Sequence, residues 1–190
     1  MSGGADDIDI RPVRREDAAA VHDLTARAFA ASELGHHGEA DLVSRLREAC
    51  PDAIELVAEK GGAVVGHILF TPARLEGDAR VVHGLGLAPM SVDPALQSSG
   101  IGSRLVHAGL DAARATEAAF VIVLGHEKYY PRFGFTVASG HGVRCEFDGI
   151  PDELFLIQGL RDGALEGAEG TVARYHAEFH RQPDAAEDEG

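Results

Sequence analysis

The stretch with the most chemical potential reads Gln97-Ser98-Ser99-Gly100-Ile101-Gly102-Ser103-Arg104. An apolar run ending in Met90-Ser91-Val92 precedes it across an Asp93-Pro94 turn, and a helical pattern opens near Gly100. The first amides of a helix have no intrahelical acceptor, and with the helix dipole behind them they form a nest for an anion. Gly100 and Gly102 take away the Cβ atoms that would hold a pyrophosphate off those amides. The hydroxyls of Ser98, Ser99 and Ser103 are further donors. The plainer reading is a strand–turn–helix joint with glycine for packing and serine for capping. There is no GxxxxGK[ST] and no GxGxxG after a strand, so the two common nucleotide-loop signatures are set aside. Cys50 and Cys145 have no basic motif beside them and read as inert thiols. His36-His37 has no third ligand at metal-binding spacing, so no metal is expected.

These residues need elements to position them. Residues 8–13 alternate as an opening strand, and residues 15–30 have helical periodicity with Val21, Leu24 and Ala28 on one face. Loop residues with Gly35 and Gly38 separate this helix from a second at Glu39–Ala49, which Pro51 follows. Residues 54–59 and 63–72 flank Lys60-Gly61-Gly62, a hairpin signature. Val81–Val92 is strand-like but carries Gly84, Gly86 and Pro89, which predict a bulge or a splayed edge. A helix spans residues 100–116, and Phe120–Leu124 (FVIVL) reads as a strand buried on both faces. A short helix at 128–133 and strands at 135–138, 142–147 and 154–160 complete an α/β (α+β) pattern, with helices on both faces of a mixed sheet.

The chain has 190 residues, 45% of them hydrophobic and 25% charged, as in an ordinary globular domain. Seventeen Lys+Arg against 31 Asp+Glu give a formal net charge of −14, and only Lys60 and Lys128 are lysines. Such a field repels nucleic acid and anionic membranes, so neither is an expected partner. Two cysteines cannot build a disulfide framework, which makes a reducing cytoplasm the expected location. No apolar run approaches a membrane span, and the opening MSGGADDIDI has no signal-peptide pattern. Residues 1–7 and the acidic residues 181–190 are expected to be disordered ends of one domain at 8–180.

Two motifs in the right order carry a family resemblance. Gln97-Ser98-Ser99-Gly100-Ile101-Gly102 resembles the [R/Q]-x-x-G-x-[G/A] motif of the GCN5-related N-acetyltransferases (GNAT). Tyr129-Tyr130-Pro131-Arg132-Phe133-Gly134-Phe135 resembles the Tyr-x-x-x-Gly-Phe segment that follows the family's fifth strand. Val123-Leu124-Gly125 before those tyrosines, the start of the Glu39 helix and Arg144-Cys145-Glu146 are similar to the YhbS-like subgroup. The resemblance implies a mostly antiparallel mixed sheet of about seven strands with about four helices, split between strands 4 and 5 by a cofactor cleft. It implies acetyl-CoA as cosubstrate, with the pantetheine arm along Met90, Ser91 and Val92 and the pyrophosphate on the residue 97–103 amides. A strand N–H near Met90 would serve the oxyanion. Ser98 and Ser99 stand where the family commonly has basic residues, so charge support is weaker and falls to Arg104 or Arg132. Tyr130 matches the tyrosine beside the sulfur and would act as general acid, since a phenol (~10) can stabilise or protonate a thiolate (~8.5).

The acceptor implied is a small amine, made neutral before attack. Strand 81–92 contains no carboxylate, and its one titratable group, His83, is the named base. Glu33, His36, His37, His126 and Glu127 stay open as rivals. The negative field favours a cationic acceptor. A non-catalytic CoA-binding or sensing module on the same fold is the competing reading, and a homodimer stays open because family members are often dimers.

Overall fold

The computed structural model describes residues 8–31, 38–78 and 80–181. Glu33, His36 and His37, residues 1–7 and all of the expected end at 181–190 except Arg181 lie outside them. Strand β1 (Ile8–Pro12) leads through a 3-10 turn to α1 (Ala18–Ala30), and α2 is Glu39–Ala49. The hairpin of β2 (Ile54–Lys60) and β3 (Ala63–Glu76) turns on Gly61 and Gly62, with φ of 56° and 82°. Two successive positive φ values match the twist of the flanking strands, and glycine adopts them without Cβ strain. Then follow β4 (Val81–Val92), α3 (Ile101–Arg114), β5 (Phe120–Leu124), β6 (Thr136–Val137), β7 (Arg144–Cys145), β8 (Phe155–Gly159) and β9 (Val172–Arg174). Pro131 limits the predicted helix at 128–133 to one 3-10 turn, Tyr130–Phe133. The described residues therefore hold three α-helices and nine strands, of which β6 and β7 are two residues long and β9 three. No helix among them is long and apolar enough to cross a membrane.

The sheet order is β1-β2-β3-β4-β5-β8-β6, and β9 joins β3 and β7. All neighbours run antiparallel except β4–β5 and β7–β9. Side chains of β5 alternate between two cores. Val121 and Val123 pack with Ile101, Leu105 and Leu110 of α3, whereas Phe120 and Ile122 pack on the other face with Ala73, Leu75 and Phe155. This alternation explains the unbroken FVIVL: period two delivers every second residue to each core, and both cores are dry. Val21, Val43 and Val57 seat α1 and α2 on the second face.

An acid-sensitive clamp joins β1 to α1. Arg11 donates from both guanidinium ends to Asp17, at 2.7 and 2.9 Å, and also to Glu59. The Arg11 hydrogen bonds hold the Asp17 carboxyl down at about 2, against desolvation and with help from the Arg14 backbone N–H. A depressed carboxyl stabilises the fold above its ordinary value and stops doing so as pH falls through its folded value. Lowering the pH from 5 to 2 therefore removes about 2 kcal/mol through this one group. Urea unfolding at the two pH values, on wild type and Asp17→Asn, should show that much less pH dependence in the variant.

Candidate functional site

The site begins as an interruption of the β3–β4 ladder. Ile68 pairs with Met90 and Phe70 with Leu87, so Ala88 and Pro89 bulge out opposite Leu69. Proline has no N–H to continue a ladder, and the extra residues turn β4 aside. On its other edge β4 pairs with β5 only at Leu85–Val121 and Gly86–Ile122. Beyond Gly86 the two parallel strands part. The predicted splay is present, and Pro89 accounts for it. The two glycines serve something else: a Cβ on Gly84 or on Gly86 would lie 2.6 Å from the Phe120 or Tyr175 ring.

Tyr130 stands at this fork. Its ring lies against Gly125, just past the end of β5, where a Cβ would come 2.2 Å from its Cε2. Phe135 meets it edge-on at 5.6 Å and Tyr129 at 5.0 Å. The phenol is buried on the α3 face of the sheet, and burial holds its pKa above the ordinary value, with Tyr129 adding to the effect. It is a neutral hydrogen-bond donor throughout the physiological range.

The mouth of the fork is the start of α3. Gly100 caps the helix in the left-handed region, φ 90°, and Ser98 also has a positive φ of 62°. The backbone N–H groups of Gly100, Ile101 and Gly102 have no acceptor among the described residues. The side chains of the loop brace it from within: Gln97 Nε2 donates to the Val92 carbonyl (3.4 Å) and Ser99 Oγ to the Leu96 carbonyl (2.5 Å). The bracing assigned to serine on sequence grounds and the open amides thus coexist, the first in side chains and the second in backbone. Gly100 has open space where a Cβ would go, so its glycine meets a backbone need. Gly102 meets a steric one, because a Cβ there would lie 2.8 Å from the Tyr129 hydroxyl.

Other predicted residues fall less simply. Ser91 is buried and its Oγ sits 3.3 Å from Thr25 Oγ1 of α1, and the Ile101 side chain is in the core, so neither side chain is free for a ligand. Arg104 turns to β1, donating to the Ile8 carbonyl at 2.6 Å. Arg132 is the cation at the mouth: its guanidinium lies 4.6 Å over the Tyr129 ring and 3.5 Å from Ser103 Oγ. His83 is exposed near the start of β4, three residues before Gly86, where the strands part, and on the order of 20 Å along an extended strand from Met90. His126 and Glu127 are exposed on the segment between β5 and the tyrosines. Both cysteines have their thiols pushed up by burial, as inert thiols should.

Two features escape the sequence reading. The Glu55 carboxylate of β2 accepts from Arg47 of α2 and meets His67 Nε2 of β3 at 2.8 Å. Burial alone would raise its pKa, but the His67 and Arg47 hydrogen bonds outweigh it and lower the carboxyl. The second is Tyr175 on Gly86. An isolated glycine inside a strand marks a close approach, so Gly86 was the available signal.

Comparison with known proteins agrees with this geometry. The profile described as "Acetyltransferase (GNAT) domain" matches residues 9–138. The uncharacterized N-acetyltransferase YhbS of Escherichia coli K12 is 35% identical over 166 residues, 87% of this chain and 94% of that protein. The crystal structure of E. coli YhbS in complex with CoA superposes with a TM-score of 0.82 at 33% identity, covering 96% of this chain and 97% of that one. A GNAT family acetyltransferase from Brucella melitensis in complex with acetyl-CoA gives 0.69 at 32% identity, covering 90% and 97%.

Proposed function

Because the chain belongs to the GNAT acetyltransferase family, we propose that it binds acetyl-CoA and transfers the acetyl group to a small, cationic primary amine by direct transfer in a ternary complex. The observation that carries the reading is the fork between β4 and β5, with Tyr130 on Gly125 past the end of its β5 arm and three unpaired helix-start amides at its mouth. Binding of CoA by E. coli YhbS and of acetyl-CoA by the Brucella protein supports it.

The residues present fit such a ligand. Freed from β5, the backbone of Met90, Ser91 and Val92 is available to an extended polar arm. The amides of residues 97–103 suit a pyrophosphate, with Arg132 supplying the positive charge that Ser98 and Ser99 do not. Acetyl-CoA brings an activated thioester. Tyr130 holds the departing sulfur: its burial makes full proton transfer to a thiolate uphill, so it acts by donating a hydrogen bond where negative charge develops. The net charge of −14 draws cationic amines toward the fork.

Calorimetry with acetyl-CoA, together with thiol release measured over a panel of cationic and neutral amines, tests the reading. Binding with turnover of the cationic amines, falling as salt is added, is the expected result. Binding without turnover of any amine would make the protein a CoA-sensing module instead. Gly100→Ala places a Cβ at φ 90°, which costs about 1–2 kcal/mol and shifts the helix-start amides. Its affinity for CoA should drop about tenfold, and an unchanged affinity would remove those amides from the pyrophosphate site.

A further inference from the structure

A second phenol reaches the fork from the other face of the sheet. Tyr175 follows β9, outside residues 9–138, and is 4% exposed. It packs with Ala73, Phe120, Ile122 and Phe155, on the face opposite the one that holds Tyr130. Its ring lies on Gly86, the last β4 residue paired with β5. Its hydroxyl is buried and has no hydrogen-bond partner among the described residues.

The neighbouring backbone shows where this hydroxyl sits. Gly125 N–H donates to the Leu154 carbonyl beside β8 at 2.9 Å. Successive residues of a strand send their N–H groups to opposite sides, so Leu124 N–H faces β4. The β4–β5 ladder has already ended at Ile122, and no strand takes that amide. The Tyr175 hydroxyl lies beside that amide without forming a hydrogen bond to it. Tyr175 is well held: its backbone N–H donates to Glu146 at 2.6 Å, and the Phe179 and Phe147 rings lie 5.0 and 5.9 Å away. Burial keeps the phenol protonated. A fixed, protonated and unpaired donor at the point where two strands part is placed to hold a carbonyl oxygen already in the ground state.

We propose that the Tyr175 hydroxyl donates a hydrogen bond to the acetyl carbonyl oxygen, from the sheet face opposite Tyr130, and holds that oxygen as the amine attacks. The proposal rests on the acetyltransferase reading above. The ammonium acceptor first loses one proton to solvent. Its neutral nitrogen then forms a bond to the acetyl carbon, the carbon–sulfur bond breaks, and sulfur leaves with the electron pair. The second nitrogen proton passes through solvent to the thiolate, so one proton is released in all. Tyr175 exchanges no proton; it only stabilises the oxygen.

Calorimetry with two ligands separates this role from a packing role. Tyr175→Phe keeps the ring on Gly86 and removes only the oxygen. Its affinity for acetyl-CoA should fall about tenfold, while its affinity for CoA, which has no acetyl carbonyl, stays unchanged. The thermal midpoint should hold or rise, because an unpaired buried hydroxyl is removed. On the wild type, S-ethyl-CoA, a thioether without the carbonyl oxygen, should bind about tenfold more weakly than acetyl-CoA, and in Tyr175→Phe that gap should narrow, which assigns the contact to the phenol and not to a strand N–H. An equal loss for CoA and acetyl-CoA, or no loss for either, overturns the role of Tyr175 and leaves the acetyltransferase reading standing. A wild type that binds neither ligand overturns both.

Discussion

Tyr130→Phe should lower kcat by about 10²–10³-fold and leave the affinity for acetyl-CoA unchanged. The ring would stay where Gly125, Phe135 and Tyr129 fix it, so the fold and the walls of the fork persist. Only the donor disappears. A donor aimed at charge that develops during the reaction does little for the ground state, so the loss belongs in turnover and not in binding. Steady-state thiol release with a saturating amine, set beside calorimetry with acetyl-CoA, checks it. Since burial holds the phenol high, the wild-type rate should show no inflection near pH 10 from this group. Full activity in Tyr130→Phe would move the sulfur-side role to another group.

Gly125→Ala should cost on the order of 10²-fold in kcat without touching a reacting group. The added Cβ would lie 2.2 Å from Tyr130 Cε2, well inside contact distance. Neither side can yield cheaply. The Gly125 backbone is tied to Leu154, and the Tyr130 ring is enclosed by aromatic neighbours. The ring must move by an ångström or more, and misplacement on that scale is worth about 10²-fold. Overpacking also destabilises, typically by about 1–3 kcal/mol. Thermal unfolding and kcat measured on one preparation distinguish the two effects. A variant that melts earlier yet turns over at the wild-type rate would show that the Tyr130 position is not critical. The pair Gly125→Ala and Tyr130→Phe should be strongly non-additive, because both act through one hydroxyl.

Gly86 and Gly84 show how far sequence can be pushed. Inside a strand pattern they signal irregularity, yet the β3–β4 ladder is regular at both and breaks only at Ala88-Pro89. Each glycine instead admits a ring from a distant element, Phe120 or Tyr175, and one-dimensional spacing has no access to that. His83 is the one titratable residue in strand 81–92, but a strand advances about 3.3 Å per residue, and membership of a strand does not by itself say which end a residue serves.

By itself the sequence determined most of the elements, though not β9 or the single 3-10 turn at Tyr130–Phe133, and one of the two features of the fork. Periodicity places β4 at Val81–Val92 and β5 at Phe120–Leu124, because alternation and dry runs are local properties of the chain. The Gly100–Gly102 helix start is legible for the same reason: a left-handed cap and its open amides need only a few consecutive residues. The tertiary structure decided everything that depends on long-range pairing. It put the end of the β4–β5 ladder at Gly86, Tyr130 beside Gly125, Arg104 on Ile8 and Tyr175 on the far face of the fork. Residues up to 96 apart meet in those contacts. Such contacts are selected by the packing of two cores against one sheet, which no local pattern encodes.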